Sequence, residues 1–159
     1  MNIVLYPDPV LRQKTKPLKE INKEVYKKVE EMMELMYHAQ GVGLAAPQVG
    51  WAVRLFIIDV DGTNLGEKVF INPIIVEEFG ELHKEEGCLS FPGITSKIIR
   101  AQRIKGQAYN LKGQKLEIEA EALAARAWQH DLDHLNGELF TDKMRSSHRL
   151  AISQQLKEF

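Results

Sequence analysis

Residues 119–135, EAEALAARAWQHDLDHL, decide how this chain is expected to fold. Small and apolar residues recur there every three or four positions, which predicts a helix that begins near residue 119 or 120. Side chains at spacings of three and four share one helical face. The face that matters here contains Ala120, Leu123, Ala127, His130 and His134. Two imidazoles four residues apart on such a face can bind one metal ion, beside a dry wall of small apolar residues.

The segments around this helix predict the other elements. Residues 22–41 form a helix that ends at Gly41, with its core face at Val25, Val29, Met32, Met33 and Met36. Strands are predicted at residues 53–60, 68–73, 74–80, 95–100, 103–110 and 114–120, with a break at Asn72-Pro73. Residues 146–159 form a short C-terminal helix. Because strands occupy the middle and helices the ends, the fold class is α+β, with small antiparallel or mixed sheets around the central helix.

Composition limits the classes of function. A chain of 159 residues with 44% hydrophobic and 27% charged residues predicts one globular domain, residues 1–159. A net charge of −1 gives no basic patch for nucleic acid, so we expect no sequence-specific nucleic-acid partner. No run of apolar residues is long enough to span a membrane, and the first residues do not have the pattern of a secretion signal. We therefore do not expect a membrane or secreted protein. The single cysteine, Cys88, fits a reducing compartment, and we expect a cytoplasmic protein.

The QHDLDH motif at residues 129–134 resembles the H-E-x-x-H motif of zinc peptidases, with Asp131 in place of glutamate. A bare H-x-x-x-H pair can also arise by chance. The adjacent acid favours function, because metal-activated water needs a proton acceptor. Asp133 is either a hydrogen-bond acceptor behind the ligands or a solvated helical acid. A third ligand is required, and the alternatives are Cys88, His38, His83, His148 or a carboxylate. A Cys-His-His set suits Zn²⁺, Fe²⁺, Ni²⁺ or Co²⁺.

The segment GVGLAAPQVG, residues 41–50, contains a G-x-G-x-x-A pattern. A dinucleotide-binding loop follows a strand and opens a helix, whereas here a helix precedes the loop and Pro47 follows it. We therefore interpret the segment as a glycine-rich loop whose backbone approaches a ligand. Gln48 can donate a hydrogen bond to a developing oxyanion, although an ordinary loop amide would look the same.

Taken together, GVGLAAPQ, EGCLS and QHxxDH occur in the order of the three signature motifs of peptide deformylases, which the whole chain resembles. YPDPVLR, residues 6–12, is also similar to the usual opening of that family. The resemblance implies that Cys88, His130 and His134 hold one divalent metal ion, with Fe²⁺ expected first and Zn²⁺, Ni²⁺ or Co²⁺ as alternatives. It implies a metal-dependent hydrolase that removes the formyl group from N-formylmethionyl peptides and nascent chains and releases formate, with the ribosome as a possible partner.

The resemblance also assigns roles to single residues. The amide of Gln48 and the backbone N–H of Leu89 would stabilise the oxyanion. The substrate backbone would lie beside Gly41 and Gly43 like an added strand. The methionine side chain would enter an apolar pocket, which is expected to be lined by Val42, Gly43, Leu123, Ala127 and the ring of His130.

Asp131 departs from the family pattern, in which glutamate is the base. Aspartate has nearly the same pKa but one methylene less reach, and a displacement of about 1 Å can cost on the order of 10²-fold in rate. Three accounts are open: a compensated site with a shifted metal or a second water, a weak or altered-specificity enzyme, or an introduced substitution. We expect retained deformylase activity, because the ligands and Gln48 are intact. The alternatives are a deformylase-fold binding module with little turnover and, least favoured, a zincin-like peptidase.

Overall fold

The helix predicted to carry the two histidines is present as α2, Ala122–Leu135. The structure is a computed structural model, which describes residues 1–60 and 65–144. α2 begins later than the predicted residue 119 or 120, because the preceding residues belong to a strand. Ala120 is therefore not on the helical face with His130. Its side chain is buried in the core cluster that also contains Ala127. The change from strand to helix occurs at Ala122, which has a positive φ of 53°.

The other described helix is α1, Lys23–His38, as the apolar spacing predicts. The side chain of Asn22 accepts a hydrogen bond from the backbone N–H of Val25 and caps its first turn. The buried face contains Val25, Val29, Met32 and Met36, and Met33 is partly buried beside them. No helix among the described residues is long and apolar enough to cross a membrane. The predicted C-terminal helix lies outside the described residues.

Within the described part of the chain, seven strands form two antiparallel sheets. Their bounds are β1 Gly43–Ala45, β2 Leu55–Ile58, β3 Val69–Phe79, β4 Leu82–Gly87, β5 Thr95–Arg100, β6 Arg103–Tyr109 and β7 Lys115–Glu121. Five of them form a sheet in the order β1-β2-β3-β6-β7, and β4 pairs with β5 as a separate hairpin. Three short 3-10 helices cover Pro9–Arg12, Ala46–Val49 and Phe140–Lys143. The predicted α+β class, with small antiparallel sheets around a central helix, is confirmed.

The large sheet lies between the two helices, and β2 shows why. Side chains alternate across a strand, so a strand with both faces covered is apolar throughout. Leu55 and Ile57 pack with the buried face of α1. Phe56 and Ile58 face the other way and pack with α2, where Trp128 contacts Phe56 edge to face at a centroid distance of 5.0 Å. The sheet therefore holds α2 in place from its apolar side and leaves the opposite side free for a site.

One predicted boundary is wrong. Residues 68–80 do not form two strands broken at Asn72-Pro73, because β3 runs through from Val69 to Phe79. The signal instead marks an irregularity, since the pairing with β6 shifts register between Ile71 and Ile74. Asn72 has a φ of 50°, and its side-chain amide bonds both the N–H and the carbonyl of Leu18. A bulge of this kind accommodates proline, which cannot donate to the ladder.

The strand β4 was not predicted, because its residues give no apolar alternation. Glu86 is the only fully buried side chain in this strand. The hairpin is attached through a third core cluster, in which Phe91 stacks on Tyr6 at 4.7 Å and contacts Phe140 edge to face at 5.2 Å. These contacts fasten the loop after β4, which carries Cys88, against the segment that follows α2.

Candidate metal centre and substrate cavity

Three potential ligands from distant parts of the chain converge at the surface of α2. His130 and His134 lie one turn apart, and their Nε2 atoms are 3.2 Å from each other. Cys88 follows the last residue of β4, and its Sγ lies 3.4 Å from Nε2 of His134. The ligand atoms of the three residues all lie within 4.8 Å of one another. Of the third ligands that the sequence left open, the structure therefore brings Cys88 to the histidine pair.

The distances fit a small divalent ion. Ligands about 2.0–2.3 Å from a tetrahedrally bound metal stand roughly 3.3–3.6 Å apart, close to the spacings found here. Two imidazole nitrogens that face each other at 3.2 Å must have either a proton or a metal ion between them, because two lone pairs would repel. The donors are one sulfur and two nitrogens, a set that suits Fe²⁺, Zn²⁺, Ni²⁺ or Co²⁺ better than Mg²⁺ or Ca²⁺.

A buried ionic network supports the histidines from behind. The Oε1 atom of Glu86 lies 3.0 Å from Nδ1 of His130, so it can accept that proton and direct Nε2 towards Cys88. Arg100 donates to both oxygens of Glu86, at 2.8 and 2.9 Å, and to Asp133 at 2.6 Å. Of the two interpretations of Asp133, the structure supports the hydrogen-bond acceptor. The network connects β4, β5 and α2 through fully or largely desolvated charges.

Sequence reasoning missed Glu86 and Arg100 as functional residues. A signal for Arg100 exists in the alternation of β5, since Ser96, Ile98 and Arg100 all occupy the buried face. An arginine at a buried strand position requires a partner. Glu86 lies within the EGCLS motif and directly follows another acid, Glu85. Only Glu86 is buried, and the sequence does not show which of the two acids that will be.

Burial and charge shift the pKa values of this cluster. For Glu86, burial would raise the pKa, but His130 and Arg100 lower it to about 2. For His130, burial would lower the pKa, but Cys88 and Glu86 raise it to about 10. Burial, followed by the charge of His130, lowers the pKa of His134 well below its ordinary value. Cys88 and Glu86 therefore favour the charged form of His130, and that charge together with burial favours the neutral form of His134.

Asp131 points away from this network. Its side chain is 3% exposed, and Oδ2 has no hydrogen-bond partner among the described residues. Burial raises the pKa of its carboxyl to about 7, although the nearby cations His130 and Arg100 oppose the shift. Oδ2 occupies space that a side chain at Gly43 would need, since a Cβ there would lie 2.5 Å from it. The glycine thus leaves room for the acid beside β1.

Gln48 is fixed in orientation by its own loop. Its Oε1 accepts a hydrogen bond from the N–H of Ala45 at 3.0 Å, so the amide nitrogen must point outward. That nitrogen lies 3.2 Å from Oγ of the buried Ser90 and 3.5 Å from Sγ of Cys88. A donor held in a fixed orientation beside Cys88 has the preorganisation that oxyanion stabilisation requires. Ser90 is a further residue of the site that sequence reasoning did not single out.

A cavity of about 530 Å³ opens beside these groups. Its volume is that of an ordinary small-ligand pocket. The residues predicted for the site that line it are Gly41, Val42, Gly43, Gln48, Cys88, Leu89, Leu123, Ala127, His130 and Asp131. His134, the remaining predicted ligand, is 1% exposed and lies beneath the lining. Arg126, Glu85 and Phe91 also line the cavity and were not predicted.

Comparison with known proteins gives one consistent result. The family model of polypeptide deformylase matches residues 1–150. The peptide deformylase of Acidobacterium capsulatum is 44% identical over 158 residues, which cover 98% of this chain and 93% of that protein. The peptide deformylase of Halothermothrix orenii is 50% identical over 137 residues, 86% of this chain and 88% of that protein. A crystal structure of a peptide deformylase from Legionella pneumophila superposes with a TM-score of 0.92 at 39% identity, covering 99% of this chain and 94% of that one.

Proposed function

Because this chain belongs to the polypeptide deformylase family, and is a metal-dependent hydrolase that removes N-formyl groups from newly made peptides, we propose which of its residues carry the reaction. Cys88, His130 and His134 hold the metal. The observation that carries this assignment is the convergence of their ligand atoms to within 4.8 Å at the wall of the cavity. The zincin-like alternative predicts no cysteine ligand from a separate hairpin.

Fe²⁺ is the metal we propose, with Ni²⁺, Co²⁺ and Zn²⁺ as functional substitutes, because one thiolate and two imidazoles suit this group of ions. When bound, such an ion lowers the pKa of a water molecule and polarises the formyl oxygen. Glu86 keeps His130 in the tautomer that presents Nε2 to the metal, since Nδ1 is committed to the carboxylate at 3.0 Å.

Asp131 is the general base in this proposal. One carboxylate oxygen has no hydrogen-bond partner among the described residues, so it is free to take a proton from water and later pass it to the leaving amine. Burial raises the pKa of its carboxyl, and a raised pKa favours a group that both accepts and returns a proton. Retained activity with aspartate is the account we favour.

Gln48 and Leu89 stabilise the oxyanion in this proposal. The Gln48 amide is held by Ala45 and Ser90, so little reorganisation is needed when negative charge develops on the formyl oxygen. The backbone N–H of Leu89 is the second donor, from the residue directly after the Cys88 ligand.

The substrate is an N-formylmethionyl peptide that lies along β1. This strand is at the edge of the large sheet, so a peptide can add to it beside Gly41, Val42 and Gly43. Leu123 and Ala127 line the side of the cavity formed by α2, where the methionine side chain enters. Because nascent chains are among its proposed substrates, we also propose that the protein acts near the ribosome and that it is located in the cytoplasm.

Formate release tests the assignment. The protein is reconstituted anaerobically with Fe²⁺ or Ni²⁺, and formate is measured from formyl-Met-Ala-Ser. We expect turnover by the native protein and none by Cys88→Ala, which removes a ligand. Turnover by Cys88→Ala at the native rate would contradict the ligand assignment, and equal background from both proteins would contradict the mechanism as a whole.

A further inference from the structure

Arg126 lies on the same face of α2 as the residues proposed to receive the substrate side chain. Leu123, Ala127 and His130 precede or follow it at spacings that keep all four on one side of the helix. All four line the cavity. Leu123 is 43% exposed and lies at the rim, whereas the Arg126 side chain is only 14% exposed. Arg126 therefore belongs to the inner wall.

The guanidinium head is fastened on the opposite side of the cavity. Nη2 donates a hydrogen bond to the backbone carbonyl of Glu85 in β4. Nε is buried and has no hydrogen-bond partner among the described residues, and the nearest carboxylate oxygen, on Glu86, is 4.0 Å away. That carboxylate is already bound by Arg100 and His130. The backbone of β4, rather than a carboxylate, thus holds the head.

The side chain consequently spans the gap between α2 and β4. An arginine stem is apolar along its three methylenes and packs as a hydrophobic wall, while the planar head needs a fixed polar partner. With the head on β4, the stem forms the part of the cavity wall that connects α2 with β4. Removing it would widen the cavity on the side of Glu85, which also lines it.

We propose that Arg126 is a specificity-determining residue, which limits the depth of the pocket for the first side chain of the substrate and selects unbranched side chains of methionine length over bulky aromatic ones. This inference rests on the proposed function, because it takes the cavity wall of α2 as the site of that side chain. A hydrophobic pocket discriminates by about 10- to 200-fold for a single methylene. Shortening Arg126 should therefore change the ratio of kcat/KM between the two peptides more than it changes kcat/KM for the preferred peptide.

Two shortened variants and one length-matched variant test the role of the stem. Arg126→Ala and Arg126→Val open the pocket, and Arg126→Met keeps the stem without the charged head. Arg103→Ala is the control, because Arg103 packs over Phe79 at 4.2 Å and does not line the cavity. For each protein, kcat and KM are measured separately with formyl-Met-Ala-Ser and formyl-Phe-Ala-Ser.

We expect the preference for methionine in kcat/KM to fall by about tenfold or more in Arg126→Ala and Arg126→Val, mainly through KM for the phenylalanine peptide. The preference should stay near native in Arg126→Met and Arg103→Ala. An equal loss on both peptides, with an unchanged ratio, would mean that Arg126 only ties β4 to α2 and would overturn the proposal.

Binding separates this inference from the proposed function. The dissociation constants of acetyl-Met-Ala-Ser and acetyl-Phe-Ala-Ser, which lack the formyl group, are measured by calorimetry on the same proteins. A preference that falls in the shortened variants supports Arg126 even if no protein releases formate, in which case the mechanism alone fails. Formate release with unchanged binding and rate preferences would overturn Arg126 and leave the mechanism intact.

Discussion

At the scale of single residues, the proposed base Asp131 is the position where the site departs from the glutamate of the family motif. A glutamate at the same position would extend the carboxylate by about 1 Å or more, and misplacement by about 1 Å can cost on the order of 10²-fold. The aspartate oxygen now lies in the space left by Gly43, so a longer side chain would project further into the cavity.

The first prediction is that Asp131→Glu raises kcat for formyl-Met-Ala-Ser, by up to about 10²-fold. Asp131→Asn is the matched control, which keeps the size and removes the base, and should lower kcat by roughly 10²–10⁴-fold. Formate release at saturating substrate measures both. A lower kcat in Asp131→Glu would mean that the site is built around aspartate.

Glu86 is the residue whose role is least visible in the sequence. Its carboxylate accepts hydrogen bonds from Nε and Nη2 of Arg100 and lies 3.0 Å from Nδ1 of His130. It therefore orients one proposed ligand and neutralises one buried cation. Loss of such a supporting partner typically costs about 10- to 100-fold in metal affinity.

The second prediction is therefore that Glu86→Gln weakens Zn²⁺ or Co²⁺ binding by about 10- to 100-fold. Competition against a chelating dye measures the affinity. Glu85→Gln is the control, because the Glu85 side chain is exposed and only its backbone carbonyl takes part in the described contacts. Equal affinities in the two variants would argue against the supporting role of Glu86.

At the scale of elements, the packing of α2 on the sheet depends on one glycine in β6. Gly106 faces Trp128, and a Cβ there would lie 2.8 Å from its Cζ3 and 2.9 Å from the carbonyl oxygen of Ile74. Trp128 is fully buried between Phe56 and Phe70. Trp128 therefore cannot move away from a methyl group added at Gly106.

The third prediction is that Gly106→Ala lowers the free energy of unfolding by about 1–3 kcal/mol, the usual cost of overpacking a core. Urea denaturation measures the change. Gly87→Ala is a suitable control for stability, since its nearest contacts of 3.6 and 3.7 Å are ordinary ones. A similar loss in both variants would indicate a general effect of removing strand glycines.

At the scale of the whole molecule, the three proposed metal ligands come from two parts of the fold that are far apart in the sequence. Cys88 belongs to the end of the separate β4-β5 hairpin, and His130 and His134 belong to the central helix. An ion held by all three residues would stabilise the native state, because the unfolded chain does not present the ligands together.

The fourth prediction is that metal removal by a chelator lowers Tm by several degrees. A metal at 100 times its Kd contributes about 2.7 kcal/mol, and about 1 kcal/mol corresponds to roughly 2–4 °C in a chain of this size. Scanning calorimetry with and without Ni²⁺ measures the shift. Cys88→Ala should show a much smaller metal-dependent shift, and a full shift in that variant would contradict the role of the thiolate.

The sequence by itself determined that the two described helices exist, the α+β class, the family and part of the lining of the site. Helical periodicity is a local property, so the spacing of Val25, Val29 and Met32 and of His130 and His134 follows from the sequence alone. The family motifs similarly indicated Cys88 and Gln48, because a motif is recognised from its residue types and their order in the sequence.

Only the tertiary structure decided which groups meet and how they are held. Ala120 has helical spacing but lies in β7, because pairing with Ile104 across the sheet outweighs the local preference. In the sequence, Glu86 cannot be distinguished from a surface acid. Only the pairing of β4 with β5 places Arg100 beside it. The proposed role of Arg126 and the room that Gly43 leaves for Asp131 depend on the contacts of α2 with β4 and β1. These are contacts between residues distant in the chain, and local patterns do not specify them.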